Sequence, residues 1–262
     1  MSTPDGVGEP NANASGDGTD ATRPGDTWVY ESLVDVLPGI TASSRVAVAI
    51  QFAGFEAAVL VMGFGYGRPL AALAGTVAVG VAAAGSAIML GLGDRIRSLP
   101  TPPAYPRVLF GTQIEVVLGV LAFVAVVTHL FVYDPRVADE SLLTMLLGER
   151  PPLPAVYLAL LIVWDLTYRI GTGWWAAVVA CWRSYRFAFD PTTAAALRRV
   201  DGLNALFGVL QLAVVPFVWD RPILRFAVLG HVVAVLVVTG ASVWLLGRHE
   251  TGSGADPGGG DG

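Results

Sequence analysis

Residues 154–182 read PAVYLALLIVWDLTYRIGTGWWAAVVACW. The run is longer and more apolar than the ~20 residues a helix needs to cross a bilayer. Asp165 and Arg169 nonetheless sit near its middle. Four residues apart, they lie one turn from each other on one helix face. A charge at mid-depth costs about 2.5–3.5 kcal/mol on insertion scales, so a lone helix would not keep this pair against lipid. Other parts of the chain must receive it, and the stretch therefore specifies a bundle of membrane helices.

Composition agrees. Of 262 residues, 54% are hydrophobic and 14% charged, against roughly 25% charged in soluble domains, and the mean hydropathy is +0.61. All 16 basic residues are Arg and no Lys is present. That excludes lysine Schiff-base chemistry and a P-loop lysine under a phosphate. Cys181 stands alone, so neither a disulfide framework nor a cysteine zinc site is available. The block WDLTYRIGTGWW at 164–175, with the Arg-only, Asp-rich style, resembles uncharacterised multi-pass membrane proteins of salt-loving archaea. The resemblance implies a habitat and carries no named activity.

Residues 1–27 are polar, acidic and poor in apolar side chains, and are expected to form a disordered tail, as are residues 249–262. No basic segment leading directly into an apolar core marks a cleaved signal. Residues 28–40 suggest a short interfacial helix with Trp28 and Tyr30 at headgroup level. Residues 41–248 hold six spans, at about 46–65, 69–93, 108–133, 154–182, 202–219 and 222–247. Arg-Pro punctuation opens every second one, at Arg68-Pro69, Arg150-Pro151 and Arg221-Pro222. This is compatible with ordinary hairpin boundaries or with three copies of a two-helix unit. The loop after the third span should carry a short amphipathic helix within ADESLLTMLLGE. Asp190-Pro191 reads as an N-cap followed by Pro at the first helical position, opening a short helix TTAAALRR before the fifth span.

Orientation follows from Arg near the span ends. One side has Arg45, Arg95, Arg97, Arg107, Arg183, Arg186, Arg198, Arg199 and Arg248; the other has Arg68, Arg136, Arg150, Arg221 and an outward-reaching Arg225. The excess on the first side places both termini in the cytoplasm. Arg183, Arg186, Arg198 and Arg199 would form a cytoplasmic basic rim resting on anionic lipid headgroups.

The second span, rich in Ala and Gly, suits close packing in the bundle. Five of the six spans carry polar groups at membrane depth. Candidate substrate- or ion-binding residues are Glu56, Gln113, Glu115, Asp165, Arg169, Gln211 and His231. Three acids facing one mid-depth Arg leave at least one carboxyl without a full partner, which is raw material for a proton-coupled site. His129 and His231 match no two-His metal motif, and no nucleophile elbow is spaced in the chain. No metal, cofactor, nucleic acid or catalytic activity is expected. Two readings remain. One is a small transporter or channel-like protein with a Glu/Asp/Arg polar centre. The other is a non-catalytic scaffold, sensor or assembly factor whose polar core only fixes helix packing. A homo-oligomer or another membrane partner is compatible with either.

Overall fold

The structure, a computed structural model, describes residues 44–253. The expectations for residues 1–27 and 28–40 lie outside the described residues, as does the tail expected over 249–262 beyond Ser253; up to Ser253 that stretch is the end of the last helix. The described chain is all-helical, with six helices long and apolar enough to cross a membrane. In order these comprise α1 (Ser44–Gly65), α2 (Pro69–Ser98), the broken third span, α7 (Leu153–Arg186), the fifth span, and α9 (Pro222–Ser253). The third span contains α3 (Ala104–Gly111), α4 (Ile114–Thr128), a π-helical turn at His129–Tyr133 and α5 (Asp134–Val137). The loop helix α6 covers Leu142–Leu147, inside the stretch read as amphipathic. The fifth span is α8 (Pro191–Leu210) continuing as a 3-10 segment, Gln211–Val218.

Successive spans run in opposite directions. One face of the bundle therefore carries residues 98–104, 187–190 and both ends of the described chain. It is called the terminal face here. The other, the loop face, carries residues 66–68, 134–152 and 219–221. At 1.5 Å per residue the 34 residues of α7 extend about 51 Å, well past the ~30 Å hydrocarbon thickness. α7 is also the hub, packing against α4, α9, α2, α8, α3 and α1. The outer surface is what lipid requires: Ile50, Val61, Phe64, Leu121, Phe226, Val237 and Trp244 are exposed. In lipid such faces gain nothing by burial, so helix association rests on packing and interhelical hydrogen bonds.

Glycines make the closest contacts. A Cβ on Gly171 would lie 2.8 Å from the backbone nitrogen of Gly119, so α4 and α7 meet nearly backbone to backbone. On other faces, a Cβ on Gly85 would enter the Phe207 ring at 2.6 Å, and one on Gly63 would meet Ala72 Cβ at 2.5 Å. The Gly171–Gly173 pair leaves α7 unbroken and serves close packing against α4 and α8.

Three irregularities have local causes. The third span breaks at Thr112–Gln113, where Gln113 takes a left-handed φ of 53°. An unbroken helix would bond the Leu109 carbonyl to the Gln113 N–H; instead Trp175 Nε1 donates to it at 3.2 Å. The π turn precedes Pro135, which has no N–H to return to the preceding turn. The 3-10 segment contains Pro216, with the same deficit.

The helix expected as a separate piece before residue 202 is instead continuous with the fifth span from Pro191 to Leu210. Asp190 does cap it, accepting from the Thr192 and Thr193 N–H groups at 3.0 Å each. The Thr193 hydroxyl and these N–H groups hold the Asp190 carboxyl below the usual carboxylate range. Its contribution to stability is present above the unfolded-state pKa and is lost as pH falls through the lowered folded value.

Candidate functional site

The Asp165–Arg169 pair forms within α7 as its spacing requires. Arg169 donates from Nη2 to Asp165 Oδ1 at 2.7 Å and from Nε to Oδ2 at 3.1 Å. The guanidinium lies 5.4 Å from the Phe52 ring centroid on α1, and Gly85 on α2 gives it room, a Cβ there reaching within 3.0 Å of Arg169 Cδ. Glu56, one turn after Phe52, accepts from Thr76 Oγ1 of α2 at 2.7 Å. The α1, α2 and α7 helices thus bring Glu56, Asp165 and Arg169 to one side of the bundle.

Glu115 is elsewhere. Its backbone carbonyl faces Gly171, two residues from Arg169 and therefore on the opposite side of α7. Its side chain is 0% exposed, and neither carboxyl oxygen has a hydrogen-bond partner among the described residues. A buried polar group left without a partner costs about 1–3 kcal/mol. Glu115→Leu is accordingly expected to raise thermal stability by an amount of that order, measured by melting in lipid nanodiscs. A fall of similar size would show that the carboxyl has a partner.

Gln113 lies on the exposed exterior at the α3–α4 break, two residues before the buried Glu115. Gln211 and His231 both line a different place, a half-open cavity of ≈ 520 Å³ in the loop-face half of the bundle. Its walls come from α1, α2, α4, α7, the 3-10 segment and α9, and they are nearly all aliphatic. Leu142, Leu143, Leu146 and Leu147 of α6 lie across its loop-face end. That helix is fixed in three ways. Ser141 caps it, accepting from the Thr144 N–H at 3.1 Å. Asp134 accepts from the Leu142 N–H and pairs with Arg221 at 2.8 Å. Gly148 ends it at a φ of 91°, in the left-handed range that favours glycine. Gln211 is 1% exposed, and Gln211 Oε1 and His231 Nε2 have no hydrogen-bond partner among the described residues. Trp174 packs by His231, ring centroids 6.3 Å apart. The size matches the ~300–1,000 Å³ of small-molecule sites, which are mostly apolar with a few polar groups.

The basic rim needs one correction. Arg186 and Arg199 are exposed and Arg198 is half-buried, but Arg183 is fully buried. It donates from Nη2 to Asp201 Oδ2 at 2.8 Å and from Nη1 to Tyr105 Oη at 3.1 Å. Ser242 also donates to Asp201 Oδ2 at 2.8 Å and bonds to Ser184 at 2.9 Å. This network ties α3, α7, α8 and α9 together near the terminal face. It also explains the continuous α8, because the charge that marks a span boundary at Asp201 in the sequence is neutralised by Arg183 inside the bundle. Ala194, Leu197, Asp201, Asn204 and Phe207 recur at helical spacing and are all buried, so the signal for an inward-facing Asp201 is present in the sequence.

Among the described residues no three His, Cys, Asp or Glu side chains gather to hold a metal. The polar groups divide into a paired cluster at Glu56, Asp165 and Arg169, the Arg183–Asp201 network, and the two groups facing the apolar cavity. The chain belongs to a family of unknown function, DUF7530, whose model matches residues 23–242. No curated protein and no solved structure matches it.

Proposed function

We propose that this integral membrane protein is a non-catalytic carrier for an apolar solute, which it holds in the loop-face cavity. The observation that carries this reading is a ≈ 520 Å³ apolar chamber with a 1%-exposed, unpartnered Gln211 on its wall. Transport centred on Glu56, Glu115, Asp165 and Arg169 has less support. Asp165 and Arg169 are paired, Glu56 is bonded to Thr76, and Glu115 lies across α7 from Arg169. The scaffold reading is favoured by a separate observation, the burial of Arg183–Asp201 at a meeting of helices. Such a pair fixes register and leaves the exposed basic residues Arg186 and Arg199 facing outward, toward lipid headgroups or a membrane partner.

The test uses a long-chain hydrocarbon bearing a photoreactive diazirine, added to the protein in phospholipid nanodiscs. Labelling is expected on cavity-facing positions of α7 and α9, and it should fall in Ala159→Phe, which narrows the cavity where α7 lines it. Labelling confined to lipid-facing positions such as Phe64 and Phe226 would count against a cavity ligand.

Both termini are proposed to be cytoplasmic, on the strength of the Arg asymmetry. Arg225 reaches the loop face, where its Nη1 donates to the Trp219 carbonyl at 2.8 Å, and so belongs to the smaller, loop-face side of that count. Epitope tags at the two ends should both be protected from protease in intact cells and digested after lysis. Digestion of both before lysis would reverse the orientation.

A further inference from the structure

We propose that the cavity selects an apolar alcohol, a long-chain or polycyclic molecule with one neutral hydroxyl that bonds to Gln211, with His231 as the second polar neighbour. The inference rests on the carrier reading above and adds the chemistry of the head group. Gln211 and His231 both line the chamber, and each has a buried atom without a hydrogen-bond partner among the described residues. The remaining walls are overwhelmingly aliphatic, so the solute is mainly hydrocarbon. Something must nonetheless satisfy the amide, because a buried acceptor without a donor is costly.

The two polar groups narrow what that is. Gln offers an acceptor and donors at one tip, and its oxygen and nitrogen exchange by a flip of the terminal torsion. Neutral imidazole likewise carries one donor and one acceptor, in either tautomer. A hydroxyl both donates and accepts, so it can donate to Gln211 Oε1 while accepting from an imidazole N–H. A ketone, quinone or ester can take a bond from an amide or imidazole N–H but leaves Gln211 Oε1, the atom that stands unpartnered, without a donor. A carboxylate lacks a donor for Gln211 Oε1, and the cation on the cavity wall, Arg68, belongs to the loop-face turn. A plain hydrocarbon fills the space but answers neither group.

The experiment measures competition against the diazirine hydrocarbon in phospholipid nanodiscs. Hexadecanol, hexadecane and hexadecanoate are compared on the native protein, Gln211→Leu and His231→Phe, each checked by thermal melt. On the native protein hexadecanol is expected to compete about tenfold better than hexadecane, the scale of one buried hydrogen bond. Hexadecanoate should compete no better than the hydrocarbon. Gln211→Leu should remove most of the alcohol's advantage while cavity labelling by the hydrocarbon persists. His231→Phe, which keeps a ring beside Trp174, should reduce the advantage in part and serves if Gln211→Leu does not fold. Equal competition by alcohol and hydrocarbon, or an advantage that survives both substitutions, would overturn the head-group assignment while leaving the carrier reading intact. An absence of any cavity labelling would remove the carrier reading and this inference together.

Discussion

Asp201→Ala is expected to destabilise the bundle by about 3–5 kcal/mol, the usual cost of leaving one member of a buried ion pair without its partner. Arg183 is 0% exposed and Asp201 3%. The remaining bonds that Arg183 donates, to Tyr105 Oη, Ser184 Oγ and Ser242 Oγ, reach no negative charge. The Tyr105 ring, 5.0 Å from the guanidinium carbon, adds only a cation–π contact of roughly 0.5–2 kcal/mol. An unpaired guanidinium would have to draw water into the α3, α7, α8 and α9 contact or pull those helices apart. Replacing both charges, as in Arg183→Met with Asp201→Leu, should cost less than Asp201→Ala alone, because the residual burden is the orphaned charge. Unfolding titrations on the single and double variants check this. A double variant as unstable as the sum of the two singles would mean that the two side chains are not coupled and would contradict a cost set by the orphaned charge.

Gly171→Leu is expected to prevent α4 from docking on α7. A Cβ at Gly171 falls 2.8 Å from Gly119 N and 3.1 Å from the Glu115 carbonyl, and both are backbone atoms that no rotamer change can move aside. The reciprocal position is equally tight, since a Cβ on Gly119 would lie 3.0 Å from Tyr168 Cα. Gly171→Ala alone should cost about 1–3 kcal/mol, the range for overpacking. Leu should exceed it and lower the yield of folded protein sharply. Gly80 is the control, since a Cβ there meets nothing within 4 Å. Gly80→Ala should be neutral or stabilise by several tenths of a kcal/mol through helix propensity. Equal tolerance of Ala at 80 and Leu at 171, read by thermal melt, would mean that α4 and α7 do not pack as described.

The architecture was legible because membrane length and apolarity leave a strong mark. Apolar runs bounded by Arg, Gly and Pro mark six spans, and the i, i+4 spacing of Asp165 and Arg169 carries their pairing. What escaped was the meaning of charges near span ends. Arg183 looks like a topology residue and Asp201 like a loop residue, because sequence alone does not show that they come within 2.8 Å of each other. The same limit applies to Glu115 and Arg169. Both lie at membrane depth, but depth does not say which face of α7 each approaches, and Gly171 sets that through close contact with α4. The cavity had no sequence signal of its own, since aliphatic residues lining a chamber look like aliphatic residues facing lipid. Only Gln211 and His231 stood out, as polar residues at membrane depth.

The claim that the loop-face cavity holds one apolar molecule is tested most directly by native mass spectrometry of the protein released from its own membrane. The account predicts one retained small molecule per chain, apolar and hydroxyl-bearing, that is lost in Ala159→Phe with the fold intact. Bare protein, or an unselective mixture of bilayer phospholipids unchanged by Ala159→Phe, would contradict it.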